Sequence, residues 1–368
     1  MEHFETQDIS IGLIWADRLD NSIGVAFIIS LSTIKKGTAL LNQKDYFFKT
    51  SGDLLLMKIR IIGTESLGVR GLSCVVEVEN RKIFIDPGLA LGYLRNGLMP
   101  HPVQIGVGCI IRERILEALE DSTDIVISHF HGDHIPLYNA NPFQLSVNQI
   151  KKISPDCKIW ANESNTKMRQ REAGIILGLN KSINKAKGQI DSFLFFLEPV
   201  AHGEANTHQG TVTMTKITDG KTVFLHASDI QFLDEIAVDK IIEHKPDIVL
   251  ASGPPIYLED YMKNKMEKAW NNTFKLSNEV KTLILDHHLL RCEKGLSWLS
   301  KLSTLSVNEV ICAADFMKFE RHVLEAWRTK FYNDIPVPHN WHQLYANNQV
   351  TTTEYLDVAR KKYPWFKY

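Results

Sequence analysis

The sequence predicts a layered α/β domain, sheets inside and helices outside, and three observations carry that reading. Three strand-like runs crowd together just after Met57. Short apolar segments then alternate with stretches of helical length through most of the remaining chain. The composition, 44% hydrophobic and 23% charged over 368 residues, is that of an ordinary globular protein with ample length for a sizeable core.

Residues 1–56 show neither strand alternation nor a sustained helical period and end in KTSGDLLL. They read as an N-terminal extension, the alternative being a genuine first layer of the domain. From Met57, MKIRIIGTESLG is a strand closed by a Gly/Ser turn. LSCVVEVEN (72–80) and KIFIDPG (82–88) are two more strands joined by a short polar turn. Residues 110–119 have helical spacing, and DIVIS (124–128) is a short buried strand. Residues 191–199, 211–217 and 222–227 are strand-like, the last two joined at Asp219-Gly220, a hairpin signal. Residues 246–251 form another buried strand, stopped by SGPP. Residues 259–269 read as helix, 282–285 and 307–312 as strands, and 319–330 as an amphipathic helix. The domain thus spans 57–330, and 331–368 is a tail, irregular until a short helix near 353–362. This C-terminal region carries Trp327, Trp341 and Trp365. It either packs over the core, caps a pocket or builds a contact between copies of the chain in a homo-oligomer.

Charge and cysteine usage narrow the function classes. Lys plus Arg (42) nearly cancel Asp plus Glu (43), so no global positive field supports nucleic-acid or membrane-surface binding. Cys74, Cys109, Cys157, Cys292 and Cys312 are scattered and form no CxxC pair. They read as reduced thiols of a cytoplasmic protein, not as a disulfide framework or a thiolate zinc site. The apolar stretch 23–31 falls well short of the roughly 20 residues of a membrane span. Glu2, Glu5 and Asp8 stand where a secretory signal would be basic.

The densest chemistry lies in ISHFHGDH (127–134), directly behind the apolar Ile125-Val126-Ile127. On a loop leaving a strand, His129 and His131 can converge on one ion. Gly132 permits a tight turn, after which Asp133 and His134 can reach a second ion. Imidazole and carboxylate without thiolate suit Zn²⁺, with Fe or Mn as alternatives.

This HxHxDH spacing resembles the signature of the metallo-β-lactamase superfamily. The resemblance implies a four-layer αββα sandwich with its metal site at one edge of the paired sheets, and further ligands downstream in a set order. FLEPVAHGEANTHQG offers His202 and His208; His202, after an apolar run and before a glycine, fits the third-histidine motif, and His208 is the alternative. In TVFLHASDI, Asp229 fits the aspartate that bridges two ions, and His226 within the strand reads as structural. TLILDHHLLR offers His287 as the last ligand and His288 as its neighbouring acid/base group, with the reverse assignment open. Asp86 in IFIDPG fits the aspartate that braces the metal loop. One ion would then take His129, His131 and His202, the other Asp133, His134 and His287, with Asp229 and a water or hydroxide between them. The runs GTESLGVRGLSC, FIDPGLALG, SGPPIYL, DHHLLR and AADFMKFERHVLEAWR further resemble a mostly archaeal branch of predicted hydrolases with no settled substrate.

The activity so implied is hydrolysis of an ester, lactone, amide or phosphoester by a metal-bridged hydroxide at a dinuclear zinc site. Asp133 would orient the hydroxide, and His288 or His208 would protonate the leaving group. Arg70, near Glu65 and Ser66, either holds an anionic substrate or makes a surface salt bridge. Pro254, Pro255 and Tyr257 either wall the pocket or belong to the core. The competing readings are a nuclease of the same fold acting on RNA or DNA, an iron-dependent oxidoreductase of the same fold, and a non-catalytic relative. HFHGDH followed by an apolar residue resembles the tRNA 3′-processing branch, but the near-neutral charge offers no RNA-holding arm. Against a non-catalytic relative stands the full set of ligand positions.

Overall fold

Alternating apolar residues in the early strands sort to opposite faces of a sheet, because successive side chains of a strand point to opposite sides. The computed structural model describes residues 57–163, 168–205, 207 and 209–368, together with the antiparallel pairing of Ile11–Gly12 with Ile28–Ile29. Apart from that pairing, the proposed extension 1–56 lies outside the described residues. The first sheet holds β1 (Lys58–Gly63), β2 (Ser73–Val78), β3 (Arg81–Ile85), β4 (Asp124–Ile127), β5 (Lys158–Ala161) and β6 (Ile183–Lys185), in that spatial order. β1 to β3 form an antiparallel meander and β3 to β6 run parallel. Helix α1 (Pro102–Glu120) makes the crossover from β3 to β4, and α2 (Arg169–Leu179) that from β5 to β6.

The second sheet begins with the antiparallel β7 (Gly188–Gln189) and β8 (Leu194–Phe196). A separate small pair, β9 (Val200–Ala201) and β10 (Thr211–Val212), interrupts it. It continues with β11 (Thr215–Thr218), β12 (Val223–Ser228), β13 (Ile248–Ala251), β14 (Thr282–Leu285) and β15 (Glu309–Ile311). Its spatial order is β15-β14-β13-β12-β11-β8-β7, with β12 to β15 parallel. β11 and β12 meet at the expected hairpin, where Asp219 Oδ1 accepts from the N–H groups of Lys221 (2.9 Å) and Thr222 (2.7 Å). The parallel connections carry α3 (Glu235–Glu243), α4 (Glu259–Met262), α5 (Met266–Glu279) and α6 (Glu293–Leu305).

Two clusters of buried side chains show how the layers meet. Cys74, Val76, Ile83, Ile85 and Val126 of the first sheet join Leu194, Phe196 and Phe224 of the second. Their neighbours in sequence, Val75, Phe84, Ile125 and Ile127, join Val107, Ile111 and Ile115 of α1 instead. The first sheet is therefore covered on one face by the second sheet and on the other by helix. Val238 of α3, Leu276 of α5 and Leu299 of α6 extend the inter-sheet cluster to the outer helical layer of the second sheet. The result is the αββα sandwich. Each of these aliphatic or aromatic side chains contributes about 1.5–3 kcal/mol through burial.

The C-terminal region differs from its sequence reading. Residues 319–327 are not helical; the short helices α7 (Ala313–Phe316) and α8 (Arg328–Asp334) lie on either side of them. His322 N–H donates to Ser66 O at 2.7 Å, and Val323 and Leu324 are buried on a strap that crosses the sandwich. Apolar residues at helical spacing here serve a non-helical segment, because tertiary burial outweighs the local pattern. Beyond it, α9 (Trp341–Ala346), α10 (Thr353–Lys362) and the final residues join the α1 layer. Trp341, Leu356, Tyr363, Phe366 and Tyr368 are buried there, and the Tyr368 hydroxyl donates to Leu67 O at 2.7 Å. Among the described residues no helix is long and apolar enough to cross a membrane.

Candidate metal centre

The residues singled out by pattern lie where strands end. Asp86 follows β3, the HFHGDH loop follows β4, Asp229 follows β12, and His287 and His288 follow β14. Parallel neighbours within each sheet bring these C-terminal ends to one edge. Three strand exits turn through left-handed backbone at residues other than glycine: Asp86 (φ 51°), Ser228 (φ 54°) and His287 (φ 46°). Such conformations cost of order 1–3 kcal/mol each and persist where surrounding bonds hold them.

Two buried aspartates supply those bonds. Asp86 Oδ1 accepts from Ser128 N–H at 2.8 Å, and Oδ2 accepts from Ser128 Oγ (2.6 Å) and His134 Nδ1 (2.8 Å). That fixes the His134 proton on Nδ1 and turns the Nε2 lone pair inward. Having donated to Asp86, Ser128 Oγ can only accept from His129 Nδ1 at 2.9 Å, which frees His129 Nε2 in the same way. Asp286, which sequence reasoning passed over, does the same for the second sheet. Its Oδ1 accepts from Ser66 N–H (2.9 Å) and His287 N–H (2.8 Å), and Oδ2 accepts from Ala313 N–H (3.0 Å). Gly88 lets the metal loop pass, since a Cβ there would fall into the backbone of His134 and Ile135. Gly132 sits in the tight turn expected of it, closed by His134 N–H donating to His131 O at 3.0 Å. Its backbone there is not left-handed, and a side chain would press on Leu137 Cδ1 at 2.9 Å.

The seven expected ligands converge. Asp229 Oδ2 lies 3.7 Å from His129 Nε2, 3.3 Å from His134 Nε2, 3.3 Å from His202 Nε2 and 3.7 Å from His287 Nε2. His287 Nε2 lies 3.5 Å from Asp133 Oδ2, and the His131 ring centroid is 4.6 Å from those of both His129 and His202. Donor atoms of His129, His131, His202 and Asp229 fall within 4.8 Å of one another, and so do those of Asp133, His134 and His287. These groups fit a cation. The Nε2 atoms of His129, His134 and His202 and Asp229 Oδ1 are buried with no hydrogen-bond partner, a costly arrangement unless something positive accepts their lone pairs.

Electrostatics point the same way. Burial, then the neighbouring imidazoles, hold His129 well below its usual pKa; burial and His202 hold His131 near 4. Burial and Arg291 hold His287 well below and His288 near 4. These rings are neutral at pH 7, the form that ligates metal. His134 is the exception: burial opposes its charge, but Asp229 and Asp86 outweigh it and push that pKa well up, so its Nε2 must shed a proton before it can ligate an ion. Burial works against charged Asp133 and Asp229 as well, and His134 beside both carboxylates keeps them well below the usual range.

His288 is also present: its Nε2 is 3.0 Å from Asp229 Oδ2, and its Nδ1 is 3.4 Å from the Tyr257 hydroxyl. His226 is structural, with Nε2 3.0 Å from Leu72 O and the residue fully buried. His208 lies outside the described residues. Arg70 makes a two-pronged ion pair with buried Glu325 through Nε (2.7 Å) and Nη2 (2.5 Å). Tyr257 approaches the site through its hydroxyl, 3.4 Å from His288 Nδ1, while Pro254 and Pro255 are buried.

Arg291 is a second residue that sequence reasoning missed. Its Nε donates to Glu65 Oε1 (2.7 Å), Nη1 to the Tyr257 hydroxyl (3.0 Å) and Nη2 to Asp133 Oδ2 (3.2 Å), with Nη2 also 2.8 Å from His287 Nε2. The only available signal was its place four residues after His287. A cavity of about 360 Å³ opens beside His129 and His131, lined also by Phe130, Asn162, Glu163, Met168, Gln209 and Thr211. That volume is in the range of small-molecule sites.

No protein-family model matches the chain. It is 42% identical over 303 residues to a UPF0282 protein of Methanosarcina mazei, an alignment covering 82% of this chain and 100% of that protein. A UPF0282 protein of Pyrococcus furiosus is 33% identical over 300 residues, covering 77% of this chain and 96% of its own. Among solved structures, Tm1679, a metal-dependent hydrolase of the beta-lactamase superfamily, is similar with TM-score 0.42 and 11% identity. The match covers 70% of this chain and 96% of that one. The metallo-beta-lactamase fold protein YhfI from Bacillus subtilis has TM-score 0.39 and 14% identity, with the same 70% and 96% coverage.

Proposed function

The chain belongs to the UPF0282 family, and on that footing we propose that it is a metal-dependent hydrolase working at the β-strand edge just described. The observation that carries the reading is the set of buried, unpartnered imidazole nitrogens converging on Asp229. His129, His131 and His202 with Asp229 would hold one ion, and Asp133, His134 and His287 with Asp229 a second. Zinc suits these donors, with iron or manganese as alternatives. When bound, such ions supply Lewis acidity towards a carbonyl or phosphoryl group and towards water.

The protein's own groups do the rest. The cavity beside His129 and His131 receives the substrate. Its described lining carries the carboxylate of Glu163 and no lysine or arginine, which favours an uncharged ester, lactone or amide over a phosphoester or nucleic acid. His288 donates from Nε2 to Asp229 and accepts at Nδ1 from Tyr257, so it orients Asp229; a proton passed from Nε2 to a leaving group would be replaced at Nδ1 from the Tyr257 hydroxyl, which Arg291 supports. The His288→Ala variant is expected to turn over roughly 100-fold more slowly with its metal content unchanged. Loss of metal in that variant would make His288 a ligand and end the proton-delivery role. Five unpaired thiols support a cytoplasmic setting.

Elemental analysis of the purified chain, followed by ester, lactone, amide and phosphodiester panels, tests the assignment. Bound zinc with hydrolysis of an uncharged carbonyl substrate, both lost in His131→Ala, is the expected result. Bound iron with no hydrolysis would turn the assignment to oxidoreductase chemistry. An absence of bound metal would refute the site altogether.

A further inference from the structure

We propose that Arg291 competes with a second ion for Asp133 and His287, so that the chain holds one ion tightly and a second only weakly. This rests on the metal-site reading above and adds an asymmetry to it. The donors of the first cluster are free to bind: the Nε2 atoms of His129 and His202 and Asp229 Oδ1 have no hydrogen-bond partner. The second cluster is already engaged by a cation. Nη2 of Arg291 lies 3.2 Å from Asp133 Oδ2 and 2.8 Å from His287 Nε2, two of that cluster's three donors.

Arg291 is also built to stay. Its side chain is 5% exposed, and the 2% exposed Glu65 grips Nε at 2.7 Å. The Tyr257 hydroxyl holds Nη1 at 3.0 Å, and the Tyr257 ring lies 5.6 Å from the guanidinium carbon. An arginine cannot shed its charge to make room, as a lysine or histidine can. A second ion must therefore break the Asp133 and His287 contacts and sit beside a full positive charge. No such fixed charge guards the first cluster, where the near neighbours are imidazoles, which can shed a proton, and the Asp229 carboxylate. The guanidinium thus supplies fixed positive charge and N–H donors on the side where a second ion would otherwise supply charge alone.

The test is a titration of the metal-free full chain with Zn²⁺ alone, in competition with a chromophoric chelator. In the wild type one ion should bind tightly and a second at least about 100-fold more weakly. Arg291→Gln combined with Glu65→Gln removes both buried charges together, so neither is left unpaired. In that variant the two affinities should come within about tenfold of each other. Two ions of equal affinity in the wild type would overturn the proposal while leaving the metal site intact. So would a folded double variant whose second ion is no tighter. If the wild type binds no zinc, the metal site itself is wrong and the asymmetry falls with it. Should the double variant not fold, the wild-type titration decides alone.

Discussion

Replacing Asp229 with asparagine should weaken zinc binding by at least about 100-fold, with hydrolytic turnover falling in step. Asparagine keeps the shape and volume of the side chain, so the substitution isolates its charge. Oδ2 of Asp229 is within 3.0 to 3.7 Å of Nε2 of His129, His134, His202, His287 and His288, and the residue is almost wholly buried. It is thus a negative group of the first donor cluster that also lies against His134 and His287 of the second. Without it an ion at either place would be held by imidazoles and a carboxamide in a buried pocket, with less charge to offset its desolvation. Elemental analysis after gel filtration, with circular dichroism to confirm the fold, measures the effect. Retention of wild-type metal content would show that Asp229 is not a ligand.

The second large effect is on stability. Asp86→Ala removes an acceptor of three hydrogen bonds, to Ser128 N–H, Ser128 Oγ and His134 Nδ1, in a fully buried setting. Bonds to a charged group contribute about 1.5–3 kcal/mol each, and the three donors left behind would find no water. A loss of about 4 kcal/mol in urea unfolding is expected, with metal affinity lowered roughly 10- to 100-fold because His134 and His129 lose their fixed tautomers. A shift under about 1 kcal/mol would mean that the loop is held by something else.

Much of the site was legible because its chemistry is written locally. HFHGDH, SDI and DHH each sit within a few residues of a strand whose apolar run is plain, so strand end and ligand type could be read together. Asp86 apart, the residues that hold those side chains in place were not legible, because their partners are distant in sequence. Asp286 binds Ser66 across 220 positions, Arg291 reaches Glu65 across 226, and Arg70 is tied to Glu325 across 255. No spacing rule links such pairs. The same limit explains the segment 319–327, whose apolar spacing matches a helix while its burial against Ser66 and the α1 layer requires a strap. Secondary structure fared best where neighbours in sequence are also neighbours in space, as in the β1–β3 meander and the Asp219 hairpin.

The donor set is divided between the two halves of the sandwich. His129, His131, Asp133 and His134 follow a strand of the first sheet, while Asp229 and His287 follow strands of the second. An ion held by both would be a rivet through the seam between the sheets, acting on the protein mechanically as well as chemically. Loading it should raise the unfolding free energy by RT ln(1 + [metal]/Kd), since the unfolded chain has no such pairing to offer. The reverse also holds. A cavity cut deep in the inter-sheet core, at Ile85 or Phe196 for example, would loosen the alignment of the two edges and be felt as weaker metal binding, far from any ligand.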